Sequence, residues 1–408
     1  MFKAISKVVW VLSLVSLLTD VASEMLYPIM PLYLESIGFS IVLIGALEGV
    51  AEVTAGLSKG YFGRQSDRRG QRVPFVQLGY LLSAISKPMM ALFTFPAWVF
   101  SARTLDRVGK GVRTAARDAL LSDEATPQTK ATVFGFHRAL DTLGAAIGPL
   151  LALIFLSVYP GAYRPLFFLA FAPGLLSVIT TLLLKEKRRK PKVPAANASF
   201  FEFLRYIPQS SIAYRKLLAG LLVFALFNSS DVFLLLMLKR QGVSDTMIIG
   251  IYIFYNLVYA LLAFPAGVVA DRIGWKKMFV TGLGLFAIVY AGMPAANLLT
   301  DSPLNLYYGL FFIYGAYGAG TEGVSKAWIS SVCNANDTAT AIGTYESLRS
   351  LSALLASSLA GLLWVYAGPE TIFWITAAVV SGVIIYFIFF TSYPSNKVEQ
   401  AAVGKSMI

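Results

Sequence analysis

Stretches of about twenty apolar residues recur along the whole 408-residue chain, and this recurrence limits the fold more than any other feature. Each stretch is long enough to cross a hydrocarbon core of about 30 Å as a helix, whereas the strands of a membrane barrel alternate over about ten residues. Twelve spans are expected, at 7–34, 40–62, 73–95, 96–120, 130–157, 164–184, 217–238, 246–270, 276–298, 304–331, 338–366 and 370–391. With 57% hydrophobic residues, 14% charged and a mean hydropathy of +0.67, the chain is too apolar for an ordinary water-soluble domain. The expected class is an all-α integral membrane protein.

The formal charge is +12, and its placement follows the membrane. Connections on one side hold Arg64, Arg68, Arg69 and Arg72, then Lys185, Lys187, Arg188, Arg189, Lys190 and Lys192, then Arg272, Lys276 and Lys277. The alternate connections hold only Arg164, Lys239 and Arg240. This asymmetry predicts a plasma membrane (bacterial inner membrane) protein with both termini in the cytoplasm, and it accounts for the basicity without a nucleic-acid partner. One cysteine, Cys333, excludes an internal disulfide, and with the lone His137 it leaves little for a zinc or iron site, so no metal and no cofactor are expected. Lys3, Lys7, the apolar run 8–18 and Val21-Ala22-Ser23 imitate a secretory leader. Apolar sequence resumes from Met25 to Leu34, so this region is read as an uncleaved first span.

The polar stretch 185–216 reads as a basic cytoplasmic linker between an N-terminal six-helix bundle, 1–184, and a C-terminal one, 217–391, with a cytoplasmic tail at 392–408. Its Phe200 to Tyr206 portion is expected to lie as a short interfacial helix. A repeat supports the division. Gly63, Asp67, Arg68, Gly70 and Arg72 after the second span recur as Gly267, Asp271, Arg272, Gly274 and Lys276 after the eighth, offset by 204 residues.

This doubled glycine-aspartate-arginine-glycine-basic loop resembles the signature loop of the major facilitator superfamily. Three further stretches resemble motifs of its twelve-span proton-coupled drug antiporters: Leu18 through Pro28-Ile29-Met30-Pro31 in the first span, Arg107-Val108-Gly109-Lys110-Gly111 in the fourth, and Gly144 through Gly148-Pro149 in the fifth. Lys110 stands where glutamine is usual, and Ala152-Leu153 replaces a glycine pair. The resemblance implies two pseudo-symmetric six-helix bundles around a central cavity, lined mainly by spans 1, 4, 7 and 10, which rock to open alternately to each side of the membrane.

The fourth span carries Arg103, Asp106, Arg107, Lys110, Arg113 and Arg117 within an arc of roughly 120°, so one face of an otherwise apolar helix is polar. Ionisable groups at bilayer depth are costly and normally line a cavity, which makes Arg103, Asp106, Arg107 and Lys110 candidate substrate contacts. Asp20 and Glu24 lie one turn apart near the middle of the first span, with Tyr27 close behind, and are candidate proton carriers; a permanently ionised pair with Arg107 is the alternative. The repeat offset sets Glu24 opposite Asn228. Asn228, Asp231, Glu322, Lys326 and Trp328 are expected to complete the cavity, unless Glu322 and Lys326 pair with each other along one helix face.

Asp67 and Asp271 are expected to cap helix N-termini across the bundle interface while the cytoplasmic side is closed, with Arg68, Arg72 and Arg272 nearby and Gly63, Gly70 and Gly274 permitting tight turns and close approach. In the fifth span Gly144, Gly148 and Pro149 read as helix packing. There too, His137 reads as either a titrating group or a hydrogen-bonded one. Glu346 and Arg349 read as an intrahelical pair, and Glu48 and Glu52 as structural or cavity-entrance groups.

The expected function is proton-coupled secondary transport of a small anionic or carboxylate-bearing solute by alternating access, as an antiporter driving efflux, in a monomer embedded in the lipid bilayer. The alternatives are a proton symporter importing organic anions or metal-chelate polycarboxylates, and a non-transporting membrane sensor. An enzyme is not expected: no phosphate-cradling glycine-lysine loop and no histidine-rich set occur.

Overall fold

The computed structural model describes residues 5–186, 199–299 and 304–391. The expected tail, 392–408, and the basic run from 187 to 192 lie outside the described residues. Fifteen helices are present among the described residues, and no strand: α1 (Lys7–Glu24), α2 (Met30–Ser36), α3 (Ile41–Arg69), α4 (Val73–Leu92), α5 (Pro96–Glu124), α6 (Lys130–Val158), α7 (Tyr163–Thr181), α8 (Tyr206–Gln209), α9 (Ile212–Phe227), α10 (Val232–Arg240), α11 (Asp245–Ile273), α12 (Trp275–Leu299), α13 (Leu304–Val332), α14 (Thr338–Tyr366) and α15 (Pro369–Phe390). α1 with α2, and α9 with α10, each make one interrupted span, and α8 is a single turn of four residues, which leaves twelve spans.

Nine of the described spans are long and apolar enough to cross a membrane by length and composition alone. α3, α5 and α13 fall outside that set. They are the helices that carry Glu48, Glu52, Arg103, Asp106, Arg107, Lys110, Glu322 and Lys326, and their polarity is turned inward rather than to lipid.

The helices fall into two sets with the same internal wiring. α1 packs on α6 and α7, α3 on α5, and α4 on α5 and α7; in the second set α9 packs on α14 and α15, α11 on α13, and α12 on α13 and α15. Between the sets, α3 lies against α14 and α6 against α11, a symmetry-related pair of seams. Backbones touch wherever glycine removes the Cβ. A Cβ at Gly79 would lie 2.6 Å from the Gly109 carbonyl oxygen, which sets α4 on α5. One at Gly144 would lie 2.5 Å from the Leu17 carbonyl and one at Gly148 2.7 Å from the Met25 nitrogen, which brings α1 onto α6 just ahead of Pro149, inside the helix.

Two features depart from the sequence expectation. The seventh span unwinds over residues 228–231, where α9 stops at Phe227 and α10 starts at Val232. The Phe200 to Tyr206 portion is no interfacial helix: a 3-10 turn, Glu202–Arg205, runs into the single-turn α8, and Phe203 is inserted, 1% exposed, between α3 and α14. A Cβ at Gly60 would lie 2.7 Å from the Phe203 ring, and the Thr344 hydroxyl donates to the Phe203 carbonyl. Glycine on one side and a small threonine on the other leave room for the ring, so burial outcompetes the membrane surface.

Candidate functional site

A cavity of about 680 Å³ lies between the two sets of helices. Its wall takes in Asp20, Glu24 and Tyr27, then Arg103, Asp106, Arg107 and Lys110, and then Asn228, Asp231 and Glu322 from the second half. Two residues expected there are elsewhere. Trp328 is 1% exposed and packs its indole against Phe279 and Phe387, because an aromatic stripe of α13 faces α12 and α15. Lys326 points below the cavity, 2.8 Å from Asp118 and 3.6 Å from Glu346, and so does not pair with Glu322.

The polar stripe of α5 is largely neutralised by neighbouring helices. Arg103 donates to both carboxylate oxygens of Glu48 at 2.9 and 2.7 Å, a bidentate pair that fixes the guanidinium plane. Asp106 accepts from Lys87, 2.9 Å away, and from Ser86. Arg113 lies 4.5 Å above the Tyr80 ring and donates to Ser83. Among the described residues, Arg107 and Lys110 make no ion-pair contact. Glu24 and Glu52 are within electrostatic reach of both.

Lys87 escaped the sequence reading, although a lysine near the end of an apolar span was signal enough. The lining also includes Glu48, Glu52, Arg138, Arg349 and the tyrosines Tyr252, Tyr255, Tyr259, Tyr314 and Tyr317. Across the whole lining, bases are matched one for one by carboxylates.

At the cavity floor the carboxyl groups of Asp20 and Asp141 lie close enough to interact directly. A hydrogen bond between them needs a proton on one of the two, since an ionised carboxylate only accepts. Asp141 also accepts from the Ser16 hydroxyl and belongs to a closed circuit of alternating charges. Asp141 pairs with Arg138 at 2.7 Å, Arg138 with Glu322 at 3.6 Å, and Glu322 with Arg349 at 2.6 Å. Arg349 lies 3.5 Å from Glu346, Glu346 3.6 Å from Lys326, and Lys326 2.8 Å from Asp118. Asp118 pairs with Arg117 at 2.9 Å, and Arg117 closes the circuit 3.9 Å from Asp141.

Glu346 and Arg349 thus serve more than their own helix. Lys59 of α3 adds a further contact to Glu346 at 3.2 Å. Two links of the circuit, Arg138–Glu322 and Asp118–Lys326, cross between the halves. His137, beside Arg117, Asp118 and Asp141 of this circuit, is buried with no hydrogen-bond partner on either ring nitrogen among the described residues, where one expectation had a bonded group.

Beneath the circuit, the two signature loops meet helix N-termini of the opposite half. Asp67 accepts from the Thr340 backbone N–H at 2.6 Å and hydroxyl at 2.7 Å, at the start of α14. Asp271 accepts from the backbone N–H groups of Ala131 and Thr132 at 2.9 and 2.7 Å and from the Thr132 hydroxyl, at the start of α6. A carboxylate there satisfies orphan donors and faces the positive end of the helix dipole.

Gly63 and Gly267 are helical rather than part of the turns: a Cβ would lie 2.4 Å from the Ala339 carbonyl oxygen and 2.2 Å from that of Ala131. The turns fall on Gly70 and Gly274, with φ of +63° and +98°. The copies then diverge. Arg72 pairs with Asp67 at 3.2 Å and with Asp123 at 3.0 Å, while Asp271 takes the Trp275 indole N–H instead, and Arg272 is exposed. Arg68 and Arg64 hold Glu202 of the linker at 2.6 and 3.1 Å. A second repeat, missed in the sequence, matches these seams: Ala131-Thr132-x-x-Gly135 recurs as Ala339-Thr340-x-x-Gly343.

The sequence profile described as Major Facilitator Superfamily matches residues 12–256 and 218–406. A relative described as an uncharacterized MFS-type transporter, MJ1317 of Methanocaldococcus jannaschii, is 32% identical over 395 residues, covering 95% of this chain and 96% of its own. Multidrug resistance protein MdtG of Citrobacter koseri is 22% identical over 379 residues, covering 90% and 91%. Among solved structures, the human organic anion transporter MFSD10 superposes with a TM-score of 0.76 at 18% identity, over 93% of this chain and 98% of that one.

Proposed function

Because the chain belongs to the Major Facilitator Superfamily, whose members are multi-pass membrane transporters, we propose that it carries a small organic solute bearing a carboxylate or other anionic group, coupled to protons, by alternating access. The observation that carries this reading is the pair Arg107 and Lys110, which face the cavity without an ion partner while Lys87, Arg103, Arg138 and Arg349 in the same lining each have one. A guest carboxylate supplies that partner bidentately. The likeness to a human organic anion transporter is in keeping with it.

The proton sites in this reading are Asp20 with Asp141, and Glu24. A guest anion on Arg107 and Lys110 takes counter-charge away from Glu24 and Glu52, so guest and proton favour each other's binding. That reciprocity supports cotransport over the exchange expected from the antiporter-like motifs. Gating is assigned to the circuit of charges and the two helix-capping aspartates, which close the signature-loop side. The excess of positive charge there supports a cytoplasmic placing of those loops and of both termini in a plasma membrane. The proposed division is 1–184 and 217–391 joined by 185–216, in a monomer.

The test is uptake of labelled organic acids by proteoliposomes under an imposed pH gradient. Accumulation is expected when the outside is acidic, to be lost in the double variant Asp20→Asn, Glu24→Gln, and to leave downhill exchange intact in that variant. Gradient-driven accumulation at the wild-type level in the double variant would overturn proton coupling through these groups. Stimulation only by the opposite gradient would restore exchange.

A further inference from the structure

The wall opposite α5 holds a carboxylate of a different kind. Where the seventh span unwinds, Asp231 reaches the cavity beside Asn228, and its two oxygens accept from tyrosine hydroxyls, Tyr314 at 2.6 Å and Tyr255 at 2.7 Å. Glu48, Asp106 and Glu322 in the same cavity each face an arginine or lysine, but among the described residues Asp231 faces none. Its neighbours Tyr252 and Tyr255 of α11, Tyr290 of α12 and Tyr314 of α13 are neutral, and α14 meets the unwound stretch through the Ser357 hydroxyl. Two phenol donors use only part of a carboxylate's acceptor capacity. The rings of Tyr255 and Tyr314, with centroids 5.3 Å apart, and of Tyr252, 5.6 Å from Tyr255, add π-faces beside it.

A carboxylate held in place in the bilayer interior with no cation of its own is suited to a cation brought by the guest. An ammonium group would find one fixed negative charge and aromatic faces that attract it further. Across the cavity stand Arg107 and Lys110. Asp231, Arg107 and Lys110 line one and the same cavity of about 680 Å³. The balance of bases and carboxylates along the lining favours a guest with no large net charge over a polyanion. We propose that the transported solute is amphoteric, its anionic group held by Arg107 and Lys110 and its protonated amine or quaternary ammonium by Asp231, Tyr252, Tyr255 and Tyr314. The anionic pole rests on the function proposed above; the ammonium pole does not.

Thermal-shift titrations of the purified full-length protein test this, using ω-amino carboxylates of two to eight carbons against alkanoates and alkylamines of the same lengths, with sodium chloride against potassium chloride as a further arm. The expected result is that the best amino carboxylate binds about tenfold or more tighter than either singly charged counterpart. Asp231→Asn should abolish that advantage and leave alkanoate binding unchanged, and Tyr255→Phe with Tyr314→Phe should weaken it while keeping the carboxylate. Equal binding of alkanoates and amino carboxylates, or an advantage that survives Asp231→Asn, would overturn the proposal. So would an Asp231-dependent stabilisation by sodium without any by amines. Asp231-dependent binding of the amino carboxylate that is indifferent to Arg107→Gln would overturn the anionic pole, and with it the function above, while leaving the ammonium pole standing.

Discussion

At the scale of the residue, the molecule's character lies in how its buried charges are partnered. Asp118 is fully buried, and Lys326 reaches it from the other half at 2.8 Å. Removing one partner of a buried pair leaves an uncompensated charge, so Lys326→Met is expected to cost on the order of 3 kcal/mol and lower the melting temperature in detergent. Exchanging the charges, Lys326→Asp with Asp118→Lys, should not recover the loss, because it sets a lysine against Arg117 and an aspartate against Glu346. An unchanged melting temperature in the single variant would mean that the circuit carries no energy at that link. Arg107→Ala, by contrast, removes no ion pair; it should leave the stability within about 0.5 kcal/mol of wild type while abolishing stabilisation by organic acids.

At the scale of the element, packing is set by where helices can do without a Cβ. Gly144→Ala would drive a methyl into the Leu17 carbonyl, and should lower the melting temperature by separating α1 from α6; Gly309→Ala, with nothing within 4 Å, should be neutral or slightly stabilising. A comparison of the two melting curves checks this.

The spans were legible in the sequence because twenty apolar residues have few alternatives; most ends fall within a few residues of the helices, but α3 runs past the expected 62 to Arg69 and α9 starts at Ile212 rather than at 217. The unwinding at 228–231 was not, because the four polar residues there are averaged away when hydropathy is taken over a span-length window. The stripe on α5 was legible as a face but not as a chemistry. Its partners Glu48 and Lys87 sit on other helices, and only their distances reveal that Arg103 and Asp106 are spoken for while Arg107 and Lys110 are not. The circuit draws on four helices whose charges each looked locally paired, so its closure could not be read from spacing. The Ala-Thr-x-x-Gly repeat of α6 and α14 was readable and would have located both seams.

At the scale of the whole molecule, the central claim is that the side closed by Asp67, Asp271 and the circuit opens during transport. Cys333, the chain's one cysteine, reports on that side: it lines a pocket of about 430 Å³ beside Asp67, Arg68, Tyr206 and Thr340, and burial pushes its thiol up to about 11. Thiolate is the reactive form, so a raised value means slow alkylation at neutral pH, and opening that returns the thiol toward its ordinary value of about 8.5 means faster alkylation. The direct measurement is the rate of N-ethylmaleimide labelling of Cys333 at pH 7.5. The account predicts slow labelling of the wild type, and acceleration by up to about two to three orders of magnitude, on the order set by the thiolate fraction, in Asp67→Asn with Asp271→Asn and in Gly63→Ala. A rate unchanged by these substitutions, in protein that still transports, would contradict it.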